Sequence, residues 1–220
     1  MITFNFQLTF MKHIILIMFA FVTLNLNAQT SEQKEILKEI EGTYQLDDDF
    51  GYSYVRIFEN LNATKEEIHA KALSFFPYLV VGTYDAREII QHENVEEGVI
   101  IAKVACNQLA SHVSLAHFYI VSATPIIRID IKDNRARLII SLKKWTVYHK
   151  DSSGIFVTEQ QNEIPTTNVS PFKLDKKKKI NIMYNNAFIK VHNTVMLIFD
   201  KFEKSIREGN TSNNESKDDW

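Results

Sequence analysis

The chain has 220 residues, with 25 Lys and Arg against 27 Asp and Glu, and its formal net charge is −2. This length suits one domain of ordinary size. The near-neutral balance argues against general nucleic-acid binding, which depends on Lys and Arg at phosphates. The single cysteine, Cys106, cannot close an internal disulfide, so the fold must depend on its hydrophobic core.

Residues 1–28 have the pattern of a secretory signal peptide. Lys12 precedes the apolar run Ile14–Leu24, which at about 11 residues is shorter than the roughly 20 that span a bilayer. Cleavage is expected between Ala28 and Gln29, and Met11 is the expected true start. An uncleaved anchor is the alternative, which a Lys costing about 2.5–3.5 kcal/mol within a span disfavours. The pattern predicts a periplasmic or secreted protein with no transmembrane span after cleavage.

Residues 29–51 are predicted to form a short helix and a loop. Ser31 is a candidate N-cap, and Gly42 is a stop signal after an amphipathic segment. The run Asp47–Asp49 suggests calcium, but the alternating ligands, the glycine and the distal glutamate of an EF-hand loop are missing. We therefore expect a solvated acidic turn.

Residues 52–208 are predicted to form a single α+β domain that opens with a strand and a helix. The segment Tyr52–Phe58 is rich in aromatic and β-branched residues, which favours a strand. Thr64 and Glu67 have the spacing of a capping box ahead of an apolar helical run. Pro77 is expected to close that helix.

The middle of the domain is predicted to contain two strand pairs, one on each side of the unassigned segment 107–117. The first pair, over residues 87–106, turns at "EEG". The second, over residues 118–149, turns at "KDN", where Asn134 tolerates a left-handed backbone. Pro125 has no N–H to donate, which predicts a bulge or an edge position there.

The last part of the domain is predicted to be a long polar loop followed by a helix. Residues 151–179 are turn-rich, whereas residues 181–207 carry apolar side chains at steps of three and four. Residues 209–220 are composed like a disordered tail. The order strand, helix, four strands, helix predicts an α+β fold with helices packed on one face of an antiparallel sheet.

The segments "GVIIAKVA" and "IRIDIKDNRARLIISLKKW" resemble an exported bacterial family with a TBP-like fold, domain of unknown function 4468. The helix start "TKEEIHAKALSFF" is also similar, and the resemblance covers Tyr52 to His149. Asn134 and Ala136 depart from the Gly and the aromatic residue that the family pattern has at these positions. The resemblance implies a curved antiparallel sheet with helices on one side, and it carries no catalytic or binding residues.

Three groups of residues suggest chemistry. His112 and His117 near Cys106 suggest a soft-metal site, but no fourth ligand is evident, and a separation of five on one strand puts the histidines on opposite faces. Exposed histidines are the simpler interpretation. Cys106 follows an apolar run and is interpreted as a buried small hydrophobe rather than a nucleophile.

His92, Glu93, Glu96 and Glu97 flank a predicted turn. Within a pocket such groups could serve as general acid and base, and a small hydrolase using the cluster between His92 and His117 is the alternative function. A turn is normally open to water, which favours the solvated interpretation.

Arg128, Arg135 and Arg137, together with Lys143, form the candidate binding surface. Arg135 and Arg137 alternate on one strand and project from the same face. Guanidinium groups suit carboxylate or phosphate partners, although any half-exposed sheet carries outward charges.

The run Asp175–Lys179 suggests attachment to an anionic membrane, but four lysines ahead of a helix start are more consistent with a solvated loop. No short catalytic or phosphate-binding motif is present. The leading hypothesis is a non-enzymatic envelope protein without a cofactor or metal. It would bind a partner protein or a small ligand through its sheet face or its long C-terminal helix.

Overall fold

The computed structural model describes residues 31–47, 51–79, 89–114, 116–151, 158–169 and 179–208. The expected signal peptide with its Ala28–Gln29 cleavage site lies outside these residues. So do Asp48, Asp49, the lysines at 176–178 and the expected tail, and these predictions stay predictions.

Within the described residues the chain forms three α-helices and ten β-strands, and the predicted α+β class is confirmed. The helices are α1 (Ser31–Ile40), α2 (Lys65–Phe75) and α3 (Lys179–Glu208). The strands are β1 (Gln45–Asp47), β2 (Gly51–Phe58), β3 (Ile90–Asn94), β4 (Val99–Lys103), β5 (Cys106–Ser114), β6 (His117–Ala123), β7 (Ile126–Lys132), β8 (Arg135–Leu142), β9 (Lys144–Asp151) and β10 (Thr158–Pro165). Single 3₁₀ turns cover Phe76–Leu79 and Thr166–Val169.

The strands form two antiparallel sheets. The six-stranded sheet has the order β1-β2-β8-β7-β4-β3, and the four-stranded sheet has the order β10-β9-β6-β5. Three long stretches of chain each contribute one strand to the six-stranded sheet and one to the four-stranded sheet. These stretches are β4–β5, β6–β7 and β8–β9. The two sheets are therefore joined by three neighbouring crossings, which we call the junction.

The junction explains why more strands are present than the sequence predicted. The sequence predicts a bulge or an edge position at Pro125 within a strand, but the chain changes sheets at this residue. Pro125 donates no ladder hydrogen bond, and its carbonyl accepts one from the N–H of Val104 at 3.1 Å. At the third crossing, the hydroxyl of Thr166 donates to the carbonyl of Leu142 at 2.8 Å. These bonds satisfy backbone groups that the sheet ladders leave open.

Several local predictions are confirmed. The hydroxyl of Thr64 accepts from the Glu67 N–H at 3.3 Å, and the Thr64 N–H donates to the Glu67 carboxylate at 2.9 Å, which completes the capping box. Asn134 has a φ of 63° in the β7–β8 turn, as its left-handed tolerance predicts. By contrast, the predicted loop over 151–179 contains β10, and the unassigned segment before residue 118 forms β5 and the start of β6.

The hydrophobic core lies between α2, α3 and one face of the six-stranded sheet, called here the inner face, and it continues onto the junction end of the four-stranded sheet through Leu109, Val121 and Trp145. Phe202 of α3 packs edge-on against Phe58 of β2 and Phe75 of α2, with ring centroids 5.4 and 5.3 Å apart. Farther along α3, Phe188 contacts Tyr52 at 4.7 Å. None of the described helices is long and apolar enough to cross a membrane. The helices thus cover the inner face and leave the opposite, outer face of this sheet open.

Candidate functional site

The outer face of the six-stranded sheet carries the predicted arginine surface. Along β7, Ile127, Ile129 and Ile131 are buried, while the residues between them point outward. Arg128 and Asp130 alternate with these isoleucines as the pleat of a strand requires. The register places Asp130 directly opposite Arg137 of β8. The helices cover the inner face, so these charges stand on the side that the described elements leave open.

Asp130 bridges the two arginines. One carboxylate oxygen accepts from Nε of Arg128 at 2.8 Å, and the other accepts from Nη2 and Nε of Arg137 at 2.7 and 2.9 Å. The Asp130 side chain is only 18% exposed, against 48% and 51% for the two arginines. One carboxylate thus orders two guanidinium groups but neutralises only one of the two charges.

Two further cations stand at the turn end of the same face. Lys132 and Arg135 are opposite each other on β7 and β8 and are exposed. Neither belongs to a salt bridge formed among the described residues. We call Arg128, Asp130, Lys132, Arg135 and Arg137 the cationic patch. It carries four cations and one carboxylate, a net charge of +3 on a chain whose formal net charge is −2.

Apolar side chains continue the surface next to the cationic patch. Ile57 of β2 is paired with Arg137 and is 58% exposed, and it lines a shallow depression together with Lys132 and Arg135. Two residues before Ile57 on β2, Val55 is 44% exposed and is paired with Ile139 of β8. A cationic group flanked by exposed apolar side chains is suited to a ligand with both acidic and apolar parts.

Lys143 does not belong to this surface in the way the sequence suggested. It follows the last residue of β8, at the junction, whereas Arg135 is the first residue of that strand. The distance along β8 from Arg137 to Lys143 is roughly 20 Å at about 3.3 Å per residue. The backbone carbonyl of Lys143 accepts the Thr166 N–H at 3.0 Å. Three of the four predicted residues therefore come together, and Asp130 and Lys132 are the members that the prediction missed.

The two predicted metal-site histidines lie on the same face, so the expectation of opposite faces was wrong. His112 ends up on β5 and His117 on β6, because the chain reverses between them. His112 is paired with Tyr119, whose ring is also stacked against His117, with centroids 6.3 Å apart in both cases. Cys106 lies at the opposite end of β5, at the junction.

A third histidine completes this group, which we call the imidazole cluster. The ring of His149 stacks on Tyr119 at a centroid distance of 4.2 Å and an interplanar angle of 3°. Its Nε2 lies 3.2 Å from Nδ1 of His117, which is also 3.6 Å from a carboxylate oxygen of Asp151. No group of three or more His, Cys, Asp or Glu side chains in the described part of the chain is arranged to hold a metal ion. The cluster is a stacked polar end of the four-stranded sheet.

The residues of the proposed hydrolase cluster are divided between the two sheets. His92 lies on β3, the edge strand of the six-stranded sheet, where it is paired with Ile101 of β4. His112 and His117 belong to the four-stranded sheet. Neighbouring Glu93 points to the inner side, where its carboxylate is 3.9 Å from Nδ1 of His69. The backbone carbonyl of Glu96 accepts from Nζ of Lys65 at 3.0 Å. The structure therefore does not bring His92 together with His112 and His117.

Cys106 is the first residue of β5 and is partly buried. Burial raises the pKa of its thiol to about 11. A thiol with such a pKa is protonated at neutral pH and is a poor nucleophile, in keeping with the interpretation as a small hydrophobe.

The comparisons with solved structures give two neighbours. The chain is similar to a DUF4468 family protein from Bacteroides ovatus, with 10% identity, 76% of this chain and 91% of that chain covered, and a TM-score of 0.47. It is also similar to a TBP-like protein from Parabacteroides distasonis, with 17% identity, 69% and 92% covered, and a TM-score of 0.43. No protein-family model and no curated protein matches the chain. The two neighbours carry the family and fold descriptions that the sequence resemblance predicted.

Proposed function

We propose that this chain is an exported, non-enzymatic binding protein whose outer sheet face binds an acidic segment of a partner protein. The observation that carries the proposal is the cationic patch, with its net charge of +3, beside the exposed Ile57 and Val55. Exposed apolar side chains combined with arginine are typical of protein interfaces.

The preorganised arginines support a carboxylate-bearing partner. Asp130 holds the guanidinium groups of Arg128 and Arg137 in place at 2.7–2.9 Å, which lowers the entropy cost of presenting them. Arg135 and Lys132 form no salt bridge within the described part of the chain. Carboxylates on a partner would complete this arrangement through charge-assisted hydrogen bonds.

Export is a separate part of the proposal, supported by the signal-peptide pattern of residues 1–28. We expect the natural protein to begin at Gln29 and to be recovered outside the cytoplasm. Mass measurement of the purified natural protein checks this directly. A mass that includes residues 11–28 would contradict cleavage.

Site-specific photo-cross-linking tests the binding surface. A photoreactive amino acid at Ile57 is expected to cross-link a partner protein in the cell that makes this chain. The same group at Val113, which is 69% exposed on β5 of the other sheet, is the matched control and should give no such product. Equal cross-linking from both positions would overturn the assignment of the outer face.

Charge reversal tests the electrostatic part. The double variant Arg135→Glu and Lys132→Glu is expected to remove the Ile57 cross-link, because it places acids where the partner's acids would lie. Lys38→Glu on the exposed side of α1 reverses a charge away from the patch and should leave the cross-link intact. Retention of the product in the double variant would show that the partner is not recognised through its acidic groups.

A further inference from the structure

A second cavity lies at the junction, on the side that α3 covers. It has a volume of about 210 Å³, below the roughly 300–1,000 Å³ of pockets for drug-sized ligands. One wall is the link between β4 and β5 with the first part of β5, including Val104, Cys106 and Leu109. The other wall is a stripe along α3. We call this cavity the junction groove.

The α3 wall has helical periodicity. Thr194, Leu197, Ile198 and Lys201 follow each other at steps of three, one and three, so they share one face of the helix. Ile198 is buried at the base of the groove, while Leu197 is 51% exposed. Half of a leucine side chain is thus left in water beside an apolar depression, a site that an apolar ligand would cover.

The β-strand wall is shaped by an irregularity in β5. The pairing of β5 with β6 shifts register between Cys106 and Ala110, and Gln108 has a φ of 52° with its N–H donating to the Ser122 hydroxyl at 3.1 Å. Extra residues on one strand bend it locally. Because of this bulge, Cys106 and Leu109 both line the groove despite their odd separation.

The junction groove has one positive charge and no negative charge among its lining residues. Lys201 is its single charged lining residue and is exposed. It takes part in no salt bridge among the described residues. The adjacent acid on α3, Asp200, is already bound to Arg56 at 2.7 Å. The lining therefore presents an apolar body and one cation at its α3 rim.

We propose that the junction groove binds a small amphiphile with one carboxylate head and a medium-length hydrocarbon tail, such as decanoate. The tail would lie between Leu109, Leu197 and Ile198, and the carboxylate would meet Nζ of Lys201. This site is separate from the outer face of the sheet, so the proposal stands whether or not that face binds a protein.

Cys106 provides a reporter within the groove, because it is the only cysteine in the chain. Its raised pKa makes the thiol slow to react at neutral pH, so alkylation by iodoacetamide is measured at pH 9. Decanoate below its micelle-forming concentration is expected to slow the alkylation of the folded protein. An unchanged rate at all decanoate concentrations would overturn the site.

Ligand arms and variants test the recognition of the head group. Decanol and decyltrimethylammonium should protect Cys106 only at several-fold higher concentrations than decanoate. Lys201→Gln should raise the half-protecting concentration of decanoate about fivefold, the upper range for an exposed ion pair. Lys204→Gln, an exposed lysine that does not line the groove, is the matched control. Equal protection by decanol, or an equal effect of the two lysine variants, would refute carboxylate recognition.

A rim variant tests the tail without disturbing the core. Leu197→Asp places a carboxylate on a half-exposed position and should abolish protection by decanoate. Val113→Asp makes the same kind of change at an exposed site on β5 outside the groove and should have no effect. Protection that survives in Leu197→Asp would place the amphiphile elsewhere.

Discussion

The two sheets share three stretches of chain that each contribute one strand to both of them, yet their inner faces differ. In the six-stranded sheet, every inner-face residue of β7 and β8 is buried along the whole strand, from Ile127 to Ile131 and from Ala136 to Leu142. In the four-stranded sheet, burial on β6 and β9 is confined to the junction end. Beyond Val121 and Val147, the same face carries the partly exposed imidazole cluster.

This difference lies in the side chains that the inner faces carry and in how completely they are buried, rather than in strand pairing. The central pairs β6–β9 and β7–β8 both have unbroken antiparallel registers, so backbone hydrogen bonding does not distinguish these strands. On β7 and β8, every second residue is a buried aliphatic side chain. At the far end of β6 and β9, the rings of Tyr119 and the histidines stack on one another and Asp151 lies beside His117, which lets aromatic area pack while polar atoms reach water.

The outer strands show a second contrast. β10, at the edge of the four-stranded sheet, is polar on both faces and is tied to β9 by the salt bridges Lys144–Glu163 and Lys150–Glu159. Charged edge strands discourage unwanted pairing. The outer face of the six-stranded sheet instead exposes Ile57 and Val55. The molecule thus keeps one polar border and one apolar, cationic surface, and the second is the better binding candidate.

The largest expected effect is loss of core packing under α3. Phe202→Ala removes a fully buried ring that contacts Phe58 and Phe75, and such truncations cost about 3–5 kcal/mol of unfolding free energy. Tyr119→Ala in the imidazole cluster is the counterpart in the four-stranded sheet, where the ring is only partly buried, and it should cost about 1 kcal/mol. Urea unfolding of both variants gives the comparison. Equal losses would contradict the claim that the inner face of the four-stranded sheet is less completely packed at the imidazole cluster.

A smaller effect is expected at the junction. Thr166→Val removes a buried hydroxyl that donates to the Leu142 carbonyl at 2.8 Å. Leaving that carbonyl without its partner costs about 1–3 kcal/mol. Thr194→Val is the matched control, because its hydroxyl bonds to the Lys190 carbonyl within α3 at an exposed site, and it should change little.

The fluorescence of Trp145 reports on this prediction, since the residue is buried at the start of β9, close to the junction. If the junction couples the two sheets, Thr166→Val should shift the Trp145 transition and the loss of far-UV circular dichroism together. If the urea midpoint followed by Trp145 fluorescence differs from the midpoint followed by far-UV circular dichroism, the four-stranded sheet unfolds by itself.

The parts of the fold predicted well have local signals. The capping box of Thr64 and Glu67 and the left-handed Asn134 depend on residues a few positions apart. The junction was not predictable in the same way. Pro125 was recognised as incompatible with a central ladder, but that incompatibility alone does not distinguish a bulge from a change of sheet. The change of sheet depends on the hydrogen bond between the Pro125 carbonyl and the N–H of Val104, a residue that is distant in sequence.

The candidate site residues also fall into those with a local sequence signal and those brought together only by pairing of distant strands. Strand alternation was enough to place Arg135 and Arg137 on one face, and Asp130 could have been added from the alternation in "IRIDIK". The imidazole cluster could not have been found, because His149 joins it only through the pairing of β6 with β9. The error over His112 and His117 has the same origin, since the reversal between them was not recognised.

The smallest expected effect is a pH dependence that arises on the six-stranded side. His192 of α3 lies over Tyr54, with ring centroids 5.7 Å apart, and burial lowers its pKa below the ordinary 6.5. The folded state therefore binds a proton at this site less readily than the unfolded state. Stability from this residue is complete above pH 6.5 and is lost as the pH falls from there through the lowered pKa.

His192→Gln should remove that loss. Between pH 7.5 and 5, urea midpoints should fall more steeply for the natural chain than for the variant, with a constant difference above pH 7.5. Parallel curves over the whole range would mean that His192 is protonated equally in both states, and the acid sensitivity would then have to come from another group.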